Sequence, residues 1–195
     1  MDERLGRPLF EELPASMPGV STRYVWPPSN NDQANISGTF ALGAGFGYLI
    51  PFTATRRFRV EVIATHINTA QAAKVIRLGV WVLDDDRGLP GALIYQTADL
   101  SLAVVGIKGE SCLFQLEPGN YFIGGYTDAT TALLTGLNNA NLRRLGIDQT
   151  TFGSAADTHI RFNAGWTAGT ALTGYITTTV DYRSVNPPIF GLRAD

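Results

Sequence analysis

Two histidines, one cysteine, a run of three aspartates and three tryptophans are the residues whose chemistry reaches beyond packing. A hydrolase needs a nucleophile, a base and an orienting group within reach of one another. His66 follows an alternating apolar stretch at a loop edge, and His159 falls on the polar parity of Thr158-His159-Ile160-Arg161-Phe162. Both read as surface or locally hydrogen-bonded side chains. Neither takes part in an H-x-H or HExxH spacing, so histidine offers no transition-metal pattern. Cys112 stands alone, which leaves no disulfide within one chain. Its neighbours Leu113 and Phe114 suggest a small buried hydrophobe.

Asp84-Asp85-Asp86 gathers three carboxylates on a turn that continues through Arg87-Gly88-Leu89-Pro90-Gly91. Carboxylate oxygens are the ligands Ca²⁺ prefers, yet adjacent acids lack the alternating spacing of an EF-hand loop. A solvated hairpin end is the simpler expectation, with Ca²⁺ as the alternative and no other cofactor implied. A glycan-hydrolysing enzyme would need a pair of acids at a set separation, and no further feature selects such a pair. The glycine clusters Gly43-Ala44-Gly45-Phe46-Gly47 and Gly124-Gly125 match neither a Walker pattern nor a dinucleotide fingerprint. They read as crowded turns or bulges. An enzyme is therefore the minority expectation.

Binding asks for less. Trp26, Trp81, Tyr126 and Trp166 lie in or beside segments where an aromatic face can meet a ligand. Trp166, within Asn163-Ala164-Gly165-Trp166-Thr167-Ala168-Gly169, is suited to stack on a sugar ring or anchor a protein contact. The competing expectation is a plug over one end of the fold or a subunit contact. Trp166, Tyr126 and Trp26 are accordingly the candidate ligand-binding residues.

These side chains must be held by strands. Arg57-Phe58-Arg59-Val60-Glu61-Val62 alternates polar and apolar residues, the pattern of a strand with one wet face. From Lys74 to Asp84, Ile76, Leu78, Val80 and Val82 share one parity, which puts Trp81 on the other face with Arg77 and Gly79. Further strands are expected at Ala92–Tyr95, Leu100–Ile107, Ser111–Glu117, Asn120–Ile123, Thr158–Phe162, Ala171–Thr177 and Ile189–Arg193, with Pro118-Gly119 as a turn. The leucine-bearing stretch from Thr130 to Ile147 is an excursion with room for one or two helical turns. Strands separated by turns at this spacing predict an all-β, antiparallel, jelly-roll-like β-sandwich over residues 21–195. Residues 1–20 mix charges with Pro8, Pro14 and Pro18 and read as an N-terminal attachment arm.

Composition narrows the partners. Fifteen basic and seventeen acidic residues give a net charge of -2, and no basic stripe invites nucleic acid. Arg56, Arg57 and Arg59 read as the solvent face of a strand. No run of 18 apolar residues argues for membrane insertion, and no signal peptide is visible behind the charged start, so work outside a cell would need a route other than a classical leader, such as lysis.

The order of several segments resembles a family of β-sandwich modules found near the ends of tail fibres and in other structural proteins of phages, prophages and gene transfer agents. The resemblance rests on Leu49-Ile50-Pro51-Phe52, the long segment from Ile76 to Gly91, Leu116-Glu117-Pro118-Gly119-Asn120-Tyr121-Phe122, and Pro187-Pro188-Ile189-Phe190-Gly191-Leu192-Arg193. It implies a virion-associated fibre, head-spike or tail-tip component, a homotrimer, receptor binding or contact with a bacterial surface glycan, and no catalytic residues. The arm is too short to be a fibre shaft, so residues 1–20 are expected to dock onto another virion structural protein. A purely structural decoration protein is the alternative; it predicts that Trp81 and Trp166 are buried at interfaces.

Overall fold

A computed structural model of the chain describes residues 11–12, 24–25, 38–54, 56–136, 159–163, 165–174, 180–183 and 188–194. In chain order the strands are β1 (Glu11–Glu12), β2 (Tyr24–Val25), β3 (Gly38–Ala41), β4 (Phe46–Ala54), β5 (Phe58–Thr69), β6 (Val75–Asp84) and β7 (Leu89–Gln96). They continue as β8 (Leu100–Ser101), β9 (Gly106–Leu116), β10 (Gly119–Thr127), β11 (Leu133–Gly136), β12 (His159–Asn163), β13 (Val180–Arg183) and β14 (Phe190–Ala194). The described residues contain no helix. The all-β expectation is correct.

Two sheets make the sandwich. The eight-stranded sheet runs β13-β12-β4-β10-β6-β7, with β1 added to β4 and β8 to β6. The six-stranded sheet runs β2-β14-β5-β11-β3, with β9 on β5. Pairing is antiparallel except for β1, which lies parallel to β4 with Glu11 opposite Phe52. One piece of the expected arm is therefore part of the sheet. The rest of residues 1–20 lies outside the described residues.

Period-two alternation places the main core. Tyr48, Ile50 and Phe52 of β4, Ile76, Leu78 and Val80 of β6, and Tyr121 and Ile123 of β10 face Val60, Ile63 and Ile67 of β5 and Phe190 and Leu192 of β14. Burying such side chains supplies about 1.5–3 kcal/mol each before the entropy of ordering is subtracted. The parity read for β6 holds, because Trp81 points to the other side into a second cluster with Leu49, Phe122, Tyr126, Ile160, Phe162, Trp166 and Leu172.

Several expectations need correction. Gly124 and Gly125 are not a turn; they lie in β10 between β4 and β6. A Cβ on Gly124 would overlap the Tyr48 carbonyl oxygen, so the close approach of β10 to β4 demands glycine. Residues 102–105 interrupt the strand expected over Leu100–Ile107, and residues 171–174 are not a strand. Leu133–Gly136 is strand rather than helical turn, bridging β5 and β3. Residues 137–147 lie outside the described residues. Pro51 sits inside β4 without damage: on that edge β12 pairs with residues 46–49 and β1 with 52–53, so its missing N–H falls between them.

Candidate functional site

On the outer face of the eight-stranded sheet, β6 and β10 set Trp81 and Tyr126 side by side, ring centroids 6.0 Å apart and nearly parallel. Phe162 from β12 meets Tyr126 edge-on at 5.2 Å. Residues 165–174 then cross this aromatic surface as a strap. Trp81 Nε1–H donates to Thr173 O at 2.9 Å, Leu172 N–H donates to Gln96 Oε1 at 2.8 Å, and Tyr126 Oη lies 3.2 Å from Thr173 Oγ1. Arg77, on the outward parity of β6, donates to Thr170 O at 2.6 Å and to Asp99 Oδ1 at 2.7 Å. Asp99 Oδ2 in turn accepts the Gly169 N–H at 2.6 Å. One carboxylate thus ties the sheet's arginine to the strap. Gly165 and Gly169, with φ of 56° and 85°, supply the left-handed backbone the strap needs at its bends.

Trp166 is only 6% exposed. Its Nε1–H donates to Thr170 O at 2.9 Å, and the Arg77 guanidinium lies 6.0 Å from the ring centroid. The ring is enclosed by the chain's own atoms, so it presents no open stacking face. Tyr126 is also buried, and burial raises its phenol to about 12, with Thr173 offsetting part of the shift. Trp81 is wholly buried. Two of the three candidate ligand-binding residues thus converge on one place, but as the floor and cover of an internal cluster. Trp26 lies outside the described residues.

The acidic run makes a turn. Asp84 O accepts the Arg87 and Gly88 N–H groups, Asp84 Oδ1 accepts the Asp86 N–H at 3.2 Å, and Arg87 Nη1 lies 3.9 Å from Asp84 Oδ2. Asp85 and Asp86 are exposed. Among the described residues no three His, Cys, Asp or Glu side chains converge as a metal site, and Asp84, Asp85 and Asp86 do not form one. His66 is within β5 rather than at a loop edge, opposite Ile107, with Nδ1 2.7 Å from Thr135 Oγ1. His159, in β12, pairs with Arg183 of β13, and its side chain lies outside the described residues. Cys112 is half-buried, and burial first, then Glu110, pushes its thiol up to about 11. A thiol held protonated is a poor nucleophile.

A different surface carries the four most exposed large apolar side chains among the described residues, well ahead of Val82 in β6 and Ile94 in β7. Val104, Val105, Ile107 and Leu113 are 60, 57, 52 and 67% exposed, all in β9 or the turn before it. Along β9 exposed and half-buried residues alternate, with Cys112 and Phe114 packed toward the core. Phe114 stacks on Tyr95 of β7 at 4.9 Å, and Tyr95 Oη–H donates to Glu110 Oε1 at 2.6 Å. Sequence reasoning missed this surface because Leu100–Ile107 read as one strand, which left no turn to expose Val104 and Val105. The signal was present in Ile107-Lys108-Gly109-Glu110-Ser111, where polar residues occupy both parities, as on an edge.

No protein-family model matches the chain, and no curated protein matches it.

Proposed function

We propose that this chain is a virion-associated structural module whose β-sandwich presents outer surfaces to protein partners in a phage-like particle. The observation that carries the reading is the concentration of exposed Val104, Val105, Ile107 and Leu113 along one strand and its leading turn, the kind of apolar grouping that marks an interaction surface. The resemblance of the Ile76–Gly91 segment to phage and gene-transfer-agent modules supports the particle setting. In this reading Trp166 and Tyr126 act as internal supports, residues 1–20 attach the module to another virion protein, and the assembly is oligomeric. We assign it no catalytic step and no resident cofactor.

An antibody against the chain, applied to particles purified after lysis, should label them at a constant position in electron micrographs. A chain that stays in the soluble fraction and never sediments with particles overturns the proposal. Glycan recognition is the second reading, favoured by the exposed Thr167, Thr170 and Ala171 on the pinned strap beside Trp166. A glycan array probed with the intact protein decides it: binding lost on altering Thr167 would support the reading, and no binding across bacterial surface glycans would sink it.

A further inference from the structure

We propose that two copies of this chain associate through β9, pairing antiparallel about a two-fold axis that passes Gly109. Among the described residues β9 pairs with β5 alone, so its second side is the edge of the six-stranded sheet. It is eleven residues long and free of proline, and the devices that guard its edge are Lys108, Glu110 and a bulge at residues 112–113. The stretch from Gly106 to Ser111 is in unbroken register with β5; the bulge comes only beyond it, opposite Glu61.

Charge selects both the partner and the register. A two-fold pairing centred on Gly109 sets Lys108 of each copy opposite Glu110 of the other, once on each side of the axis. Lys108 forms no ion pair among the described residues. Glu110 is already held in place, with Tyr95 Oη–H on one oxygen and the Ala98 N–H on the other at 2.7 Å. On the other face the same register sets Ile107 opposite Ser111 of the second copy, with Leu113 at the bulge and Val105 just ahead of β9 flanking that stretch, so three exposed apolar side chains per chain gather there. Centring on Glu110 would oppose that carboxylate to itself, and centring on Ser111 would set Lys108 against Phe114. Like charges directly opposite destabilise a pair, and an unmatched ammonium gains nothing. Gly109 is demanded by the β5 side, where a Cβ would lie 2.7 Å from Ala64 Cβ, and its lack of a side chain leaves the axis uncrowded as well.

Sedimentation equilibrium on the full chain should show a monomer–dimer equilibrium, weakened about tenfold by Lys108→Glu and by Leu113→Lys. Both positions lie on the edge, and unchanged circular dichroism would confirm that each variant folds. Register is read by crosslinking in a Cys112→Ser background. Ile107→Cys with Ser111→Cys should give a disulfide-linked dimer on mild oxidation, because 107 faces 111 of the second copy. Either cysteine alone should not link, since equivalent residues lie about 13 Å apart along the strands, beyond the roughly 7 Å reach of a disulfide. A monomer at high micromolar concentration, a trimeric mass, or equal crosslinking of the single and double variants overturns the proposal. This pairing does not depend on the particle setting: a dimer in solution with unlabelled particles would refute only the proposed function.

Discussion

Tyr126 Oη lies 3.2 Å from Thr173 Oγ1, and its ring stacks on Trp81 beneath the strap. Burial is the main reason its phenol rises to about 12 from an ordinary value of 10. A phenol that holds its proton more tightly when folded contributes stability that is complete below the unfolded value and lost as pH climbs through the folded one. Unfolding free energy should therefore fall between pH 10 and 12, and Tyr126→Phe should flatten that slope in urea titrations followed by circular dichroism. Burial also raises the phenols of Tyr48, Tyr95 and Tyr121, so a residual slope is expected in the variant. Gln71 offers a second residue-level test. Its Oε1 accepts the N–H groups of Thr130, Thr131 and Ala132 at 2.9, 2.9 and 3.2 Å, fastening the turn ahead of β11. Thr130 and Thr131 are exposed, so water can replace their acceptor, but Ala132 is buried, so Gln71→Ala should cost about 1–3 kcal/mol in chemical denaturation.

β10 is legible in the sequence as Asn120-Tyr121-Phe122-Ile123 after a Pro-Gly turn, but its continuation through Gly124-Gly125-Tyr126 is not. Local propensity assigns paired glycines to turns; here the approach of β4 overrides it, because the Tyr48 carbonyl occupies the place of a Gly124 Cβ. Gly124→Ala sets backbone against Cβ with no flexible side chain to yield, so a loss of about 3 kcal/mol or more is expected, read as a lowered denaturation midpoint. The strap depends on partners distant in sequence. Asp99 joins Arg77, at a side-chain separation of 2.7 Å, to the Gly169 N–H. Asp99→Ala should therefore loosen residues 165–174 at a cost of about 1.5–3 kcal/mol and speed amide exchange there, leaving β5 and β9 protected. Trp166→Ala, which removes the cover itself, should cost about 3–5 kcal/mol. A small effect from that substitution would favour a ligand role for the ring over a structural one.

Both apolar clusters share the eight-stranded sheet: Ile76, Leu78 and Val80 point into the sandwich while Trp81 points out beneath the strap from the same strand. Losing either cluster strips one face of β6 and β10. The strap and the sandwich should therefore unfold together, with tryptophan fluorescence and far-ultraviolet dichroism giving coincident denaturant transitions. An earlier fluorescence transition would make the strap a separate unit. At this scale the outward side of the molecule is uneven. One face hides its aromatics under its own chain, while the β9 edge leaves aliphatic side chains uncovered.

Alternation in Phe58–Val62 and Ile76–Val82 determined the fold class and the face on which Trp81 lies, because a strand's side chains obey a period of two whatever they pack against. The same reasoning located the Asp84–Gly91 turn, where backbone freedom and a fixed φ are properties of the residues themselves. Which outward residues are covered is not such a property. In isolation Trp166 reads either as a stacking face or as a plug and Tyr126 as a ligand contact; both are closed by Arg77, Asp99 and Gln96, which lie about 30 to 90 positions away from them or from the strap. Ile107 and Leu113 read only as residues of strands and stand in solvent, because they fall on the outward parity of β9 at the sheet's edge. Exposure depends on the neighbours a strand acquires, and only the tertiary structure assigns those.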